Sequence, residues 1–170
     1  MLGDPNVERS VVLVIEHTED GALGLVLNRP TDLRLADVLP EWAPLATEPA
    51  QLHVGGPVEE RSGWCLARAR RPHELAGFVP LVGDLGLLDL EQDPHELRGE
   101  LRAVRLYAGY SGWGGGQLVE ELDADAWLVL DAAPDDPFLP HGAALWRRIL
   151  ARQEGAISRL ALFPPHPSLN

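Results

Sequence analysis

Lysine is absent from this chain of 170 residues, and all fourteen basic side chains are arginine. That absence excludes a Schiff-base lysine, a phosphate-loop lysine and a lysine general base together. Cysteine occurs once, at Cys65, which excludes an internal disulfide and a multi-cysteine metal site within one chain and fits a reducing cytoplasm. No apolar run approaches the roughly twenty residues that span a bilayer. The start, Met1-Leu-Gly-Asp-Pro-Asn6, lacks the positive and then apolar pattern of a signal peptide. The expectation is a cytoplasmic protein with no membrane partner. Positive charge is scarce as well: fourteen arginines face twenty-six acids, for a formal net charge of −12. A surface of that sign repels phosphate backbones, so direct nucleic-acid binding is not expected, although Arg68, Arg70 and Arg71 form a small basic cluster.

What remains is the composition of a folded globular chain, 45% hydrophobic and 24% charged, long enough for one core without disulfide or metal support. No linker, repeat or low-complexity block divides it, so residues 1–170 read as one domain, with 156–170 as a carboxy-terminal extension or tail. Val11–Ile15 and Ala22–Leu27 are apolar runs separated by the polar turn His17-Thr-Glu-Asp-Gly21, which predicts a central hairpin covered on both faces. Asp32–Leu39 spaces its leucines and valine as a short helix that Pro40 stops. Gln51–Val54 and Gly63–Ala67 read as strands joined through the Gly55-Gly-Pro57 corner, and Phe78–Leu90 as one strand or two. Asp93-Pro94 offers a cap and a first-turn proline for a short helix. Arg102–Tyr110 alternates arginine with apolar residues as a strand does, and Ala126–Leu130 reads as a further buried strand. Ala143–Gln153 carries helical spacing with Gly155 as its stop, and Pro164–Pro167 reads as extended. Strands fall in adjacent groups, which predicts an α+β domain with a central mixed, largely antiparallel sheet packed by several helices.

The densest feature is Tyr107-Ala-Gly-Tyr-Ser-Gly-Trp-Gly-Gly-Gly-Gln-Leu118, which places five glycines between Gly109 and Gly116 where a strand feeds a helix. Glycine in that number serves a tight turn or close backbone approach. Leu118, Val119 and Leu122 then share the inner face of the helix, leaving Glu120 and Glu121 exposed.

Taken with Glu16-His17, with Gly21-Ala-Leu-Gly-Leu-Val-Leu-Asn-Arg-Pro30 and with Val54-Gly-Gly-Pro57, that segment resembles the YqgE/AlgH family in order and spacing, from about Asp4 to Leu130. The resemblance implies a bacterial, largely uncharacterised protein with an α/β fold, and no settled enzyme activity or cofactor. One family member is associated with regulation of exopolysaccharide production. The ending here, Leu160-Ala-Leu-Phe-Pro-Pro-His-Pro167, departs from the common family ending.

Candidate chemistry gathers around these islands. The amides of Gly114, Gly115 and Gly116 at a helix start suit an anion, and equally a strand-to-helix turn with no ligand. Tyr110, Ser111, Trp113 and Gln117 bring hydroxyl, indole and amide groups to the same turn, fit for a ligand or for closing a core edge. Arg29, between Asn28 and Pro30, offers a planar fork for a carboxylate or phosphate, against the simpler reading of a turn with a surface ion pair. Gly55 and Gly56 would line a cleft shared with them. His17 beside Glu16 points to the opposite face of a strand and forms no relay; the other histidines, His53, His73, His95, His141 and His166, show no ligand spacing, so no metal is expected. Ser111 lacks the second glycine of a nucleophile elbow, because Trp113 stands there. Cys65 reads as a core thiol.

No catalytic set is complete and no cofactor is implied. The leading expectation is therefore a non-catalytic regulatory or protein-interaction domain with an unidentified protein partner. The alternative is a sensor or enzyme for a small anionic ligand at Gly114–Gln117, sharing a cleft with Asn28, Arg29, Gly55 and Gly56.

Overall fold

A strand of fourteen residues, long enough to serve two neighbourhoods at once, organises the molecule. The computed structural model describes residues 9–139 and 142–162. Its strands are β1 (Val12–Thr18), β2 (Gly21–Val26), β3 (Pro30–Arg34), β4 (Gln51–Val54), β5 (Val58–Ala69), β6 (Phe78–Val82), β7 (Leu85–Leu88) and the long β8 (Leu101–Gly114). The sheet order is β1-β2-β8-β5-β7-β6, and β4 joins β8 in parallel while pairing β3. The first part of β8 pairs β5, from Leu101 opposite Ala69 to Ala108 opposite Gly63, and its last residues pair β2, Ser111 opposite Gly24 and Gly114 opposite Gly21. The result is a mixed, largely antiparallel sheet that curls nearly into a barrel.

Helices are few and short: α1 (Leu35–Val38), α2 (Gln117–Asp123), α3 (Gly142–Ala151) and α4 (Ala156–Leu160). The expected packing by several helices is thus limited in extent. Alternation along β5 shows how both sheet faces are covered. Cys65 and Ala67 join one core with Leu35, Trp42 and Phe78, while Leu66 between them joins a second with Leu25, Leu85 and Phe138. Leu145 and Ile149 of α3 close that second core.

Several expectations change in this frame. The β1–β2 hairpin forms around Glu19-Asp20, but among the described residues β1 is an edge strand and the hairpin is not central. Asp32–Leu39 is divided: its first residues pair as β3 with β4, leaving only four for α1. The glycine-rich stretch is strand as far as Gly114, and only Gly115 and Gly116 turn, Gly116 with φ +78°. Cross-strand pairing to β2 outweighs glycine's weak strand preference there. Asp93 does cap, its Oδ1 accepting from His95 N–H at 2.8 Å, yet turns rather than a helix follow, the segment being too short to repay nucleation. Ala126–Leu130 is not a buried strand: it forms no ladder, with Leu128 55% and Val129 78% exposed. Val119 of α2 is exposed, and Glu121 is only partly so. Within 156–170, α4 occupies the first residues; the Pro164–Pro167 reading lies outside the described residues, as do His141 and His166.

Candidate functional site

Two of the signature islands meet because two backbones cross in contact. A Cβ on Gly55 would lie 2.3 Å from Gly109 O, and one on Gly109 would lie 2.5 Å from Gly56 O. Gly109 also holds φ +68°, so side chains are excluded on both counts. Gly55 O accepts from Val26 N–H at 2.8 Å and from the Ser111 hydroxyl at 3.3 Å, which welds β2 to the crossing. Val54 N–H donates to Arg29 O at 2.8 Å, so Asn28 and Arg29 sit beside this corner. Asn28 is buried and clamps the incoming chain: its Oδ1 accepts from Val11 N–H and its Nδ2 donates to Arg9 O, both at 2.9 Å. Arg29 Nη2 donates to Ser10 Oγ at 3.1 Å.

The helix start stands apart from that corner. Gly114 pairs Gly21, and Asn28 lies seven residues further along from Gly21. At about 3.3 Å per residue this is roughly 20 Å. The structure therefore brings Asn28, Arg29, Gly55 and Gly56 together with Ser111, and places Gly114, Gly115, Gly116 and Gln117 at the other end of β2. Tyr110 packs edge-on against Trp64, ring centroids 5.6 Å apart. Gly114 N–H is taken by Gln117 Oε1 at 3.0 Å, and Gly115 packs against Glu19 O.

A carboxylate that sequence reasoning left on the surface organises this end. Glu121 Oε2 accepts from Trp127 Nε1 at 2.8 Å and Trp113 Nε1 at 3.0 Å, and its Oε1 accepts from Gln117 Nε2 at 3.0 Å. Burial raises its pKa, but the hydrogen bonds from Trp127, Trp113 and Gln117 together outweigh it and hold the carboxyl below its usual range. The two indoles meet edge-to-face at 6.1 Å. Glu121 thus ties the end of β8, the first turn of α2 and the segment after it into one wall. Only the i, i+4 spacing of Gln117 and Glu121 hints at this in the sequence.

That wall borders a groove of about 530 Å³. Val11–Val14 and Leu27 line it too, as do Leu118 and Leu122 of α2 and Trp146 and Ile149 of α3. Of the candidate site residues named from the sequence, Trp113 alone lines it. Its size suits a binding site, and Leu128 and Val129 add exposed apolar surface beside it. At its margin Asp136, buried, accepts from Arg152 Nη2 at 2.7 Å and from Ala133 N–H at 2.8 Å. Arg9 lies over the Trp146 ring, 4.9 Å from its centroid.

A second polar cluster is buried on the α3 side of the sheet. Arg105 is 3% exposed, against the alternation that would put a strand arginine in water. Its Nη1 meets His53 Nε2 at 3.1 Å, and Nη2 lies 3.5 Å from Glu48 O and Phe138 O. None of the ion pairs among the described residues includes it. Because a guanidinium only donates, His53 Nε2 accepts, and the ring proton sits on Nδ1, which donates to Gln51 O at 3.2 Å. Burial first, and the charge of Arg105 second, push His53 down to about 4. Burial likewise lowers Arg105 and raises the Cys65 thiol and the Tyr107 hydroxyl. The Tyr107 hydroxyl is buried with no hydrogen-bond partner among the described residues.

No group of three or more metal-ligating side chains assembles among the described residues. The small basic cluster is largely neutralised: Arg68 pairs Asp84 and Asp135, and Arg71 pairs Glu74 and Glu100. No helix among the described residues is long and apolar enough to cross a membrane.

A single α+β domain built on a curled sheet, with a glycine crossing at its centre and an apolar groove at its edge, defines the class. The chain belongs to the AlgH-like family (DUF179), which it matches over residues 1–158. It is 44% identical to a UPF0301 protein of Streptomyces coelicolor over 173 residues, spanning 99% of this chain and 90% of the relative. A UPF0301 protein of Mycobacterium tuberculosis is 42% identical over 170 residues, covering 98% of this chain and 84% of that one. The fold superimposes on a crystal structure from Corynebacterium diphtheriae with a TM-score of 0.85 at 30% identity, covering 91% and 82% of the two chains. It superimposes on the solution structure of AlgH from Pseudomonas aeruginosa with a TM-score of 0.68 at 34% identity, covering 96% and 89%.

Proposed function

We propose that this protein is a non-catalytic, cytoplasmic interaction domain with a regulatory role, and that the groove between β1 and the segment after α2 is where a protein partner docks. The observation that carries this reading is the apolar groove itself, bordered by the exposed Leu128 and Val129. The catalytic candidates offer it nothing: Cys65 is a buried thiol, and the Ser111 hydroxyl is bound to Gly55 O. The regulatory part rests on the family resemblance. A photo-crosslinking residue placed at Leu128 in the native host tests the docking site. Specific crosslinks to one protein, abolished by Val129→Asp at unchanged melting temperature, support it; crosslinks unaffected by that charge refute it.

The small-anion alternative has less behind it, because the amide of Gly114 is already bonded and Glu120 and Glu121 flank the turn. Thermal stabilisation by phosphate or a dicarboxylate that disappears in Gln117→Ala would favour it instead.

A further inference from the structure

The groove lies between two lengths of backbone that do not pair with each other. On one side, among the described residues, β1 ends its sheet. Val11 stands opposite Leu27, whose N–H donates to Val11 O at 2.8 Å, while Val26, opposite Val12, turns its N–H the other way to Gly55 O. Antiparallel pairs alternate between bonded and non-bonded. Leu13 therefore faces β2, and Val12 and Val14 turn their N–H and C=O outward along the open edge. On the other side, among the described residues, the backbone of 127–130 makes no backbone hydrogen bond. Both lengths line the groove.

An open edge beside an apolar slot is the arrangement that captures an extended segment: backbone bonds supply affinity and alternate side chains enter the slot. A docked helix would leave the outward groups of Val12 and Val14 unused, since its own backbone bonds are internal. Charge narrows the occupant further. Beyond the slot β1 runs into the exposed acids Glu16, Glu19 and Asp20, and the whole chain carries −12. The two arginines at the slot are engaged, Arg152 by Asp136 and Arg9 over Trp146. A second copy of so acidic a chain is repelled, whereas a basic segment is attracted.

Resting on the docking reading above, we propose that the groove takes an extended segment of a partner protein as an added strand on β1, with alternate apolar side chains in the slot and basic residues against Glu16, Glu19 and Asp20.

The probe is a blocked peptide of about ten residues that alternates valine with threonine and ends in lysines, since added strands run to about that length. It is compared with versions N-methylated along one edge or the other, and with a version ending in glutamates. Binding to the full chain is followed by amide hydrogen exchange and tryptophan fluorescence. The Val12 and Val14 amides should exchange fast in the free protein and become protected with peptide. One of the two N-methylated versions should bind at least ~10-fold more weakly, as loss of several backbone bonds requires. The glutamate version should bind at least ~10-fold more weakly at low salt, the gap closing at high salt.

Three results overturn the proposal. Protection of Val12 and Val14 in the free protein means that this chain or a second copy already fills the edge. Equal binding by both N-methylated peptides means docking without strand addition, and no binding at millimolar peptide means the slot does not take a strand. In each case the Leu128 crosslinking result still decides separately whether the groove is the docking site.

Discussion

Acidification should destabilise this protein through His53 before most carboxylates are protonated. In the folded chain His53 is buried, accepts from Arg105, and holds its neutral form down to about 4 against an ordinary value of 6.5. A histidine depressed in the folded state binds fewer protons there than in the unfolded chain between those two values. The unfolded state therefore gains protons first, and stability is full above pH 6.5, declines as pH falls through the window and levels off below about 4. Each tenfold change in proton affinity is worth about 1.4 kcal/mol, so a fall from 6.5 to about 4 amounts to about 3 kcal/mol, of which roughly 2.5 kcal/mol is lost between pH 7.5 and 4.5. Against a domain stability of about 5–15 kcal/mol this is a large fraction.

Urea unfolding at pH 7.5, 6.5, 5.5 and 4.5 on the native chain and on His53→Gln measures it. Glutamine keeps an acceptor for Arg105 and removes the titration. Glu121, also depressed, loses stability in the same direction on acidification, so the quantity to read is the difference between the two proteins. That difference should shift by roughly 2–3 kcal/mol in the variant's favour as pH drops, and the His53 ring resonances should stay unshifted until near pH 4. A difference constant across the series, or a folded-state His53 titrating near 6.5, would refute the neutral-acceptor assignment.

Gly109→Ala should cost about 2–4 kcal/mol, combining positive φ with a Cβ 2.5 Å from Gly56 O, read as a lower urea midpoint; a loss under about 1 kcal/mol would mean that the crossing is loose. Glu121→Ala removes the shared acceptor of two indoles and an amide and should cost about 1–2 kcal/mol, with red-shifted tryptophan emission as Trp127 loosens. Unchanged emission would separate Glu121 from the groove wall. Asp136→Ala leaves Arg152 and Ala133 N–H without their buried partner and should cost about 3 kcal/mol by thermal or urea unfolding, whereas Asp37→Ala, which removes the exposed partner of Arg34, should leave the unfolding midpoint unchanged.

Local chemistry announced much of the fold. The polar run before Gly21 does make the β1–β2 hairpin, Gln51–Val54 does pair, and α2 begins at Gln117 as the apolar spacing requires. The segment after Asp93 fails locally, being too short for a helix, but the other misreadings were decided by partners distant in the chain. Gly112 and Gly114 look like turn residues until β2 lies beside them, and Ala126–Leu130 looks like a strand although none of the described strands takes its hydrogen bonds. The candidate site was less legible. Arg105 sits in a pattern that puts arginine in water, and His53 from β4, with the carbonyls of Glu48 and Phe138, meets it inside. Trp127 and Glu121 are six residues apart, with neither helical nor strand periodicity to link them.

Of the residues that identify this family only Leu27, Trp113 and Leu118 also line its groove, and the fold connects the rest to it. Gly55, Gly56 and Gly109 let two backbones touch, and that contact presents Gly55 O to Val26 N–H. Because Val26 is bonded away from β1, Val12 opposite it makes no bond to β2 either, and the next such residue, Val14, also faces outward. Asn28 then pins Val11 and Arg9 so that this edge enters the groove in fixed register. A side chain on Gly109 would consequently act on the groove from the centre of the molecule, by shifting which β1 amides are free. In a Gly109→Ala protein that still folds, hydrogen exchange at Val12 and Val14 should therefore change along with stability. Unaltered exchange at those two amides would show that the edge is set by Asn28 and the hairpin alone.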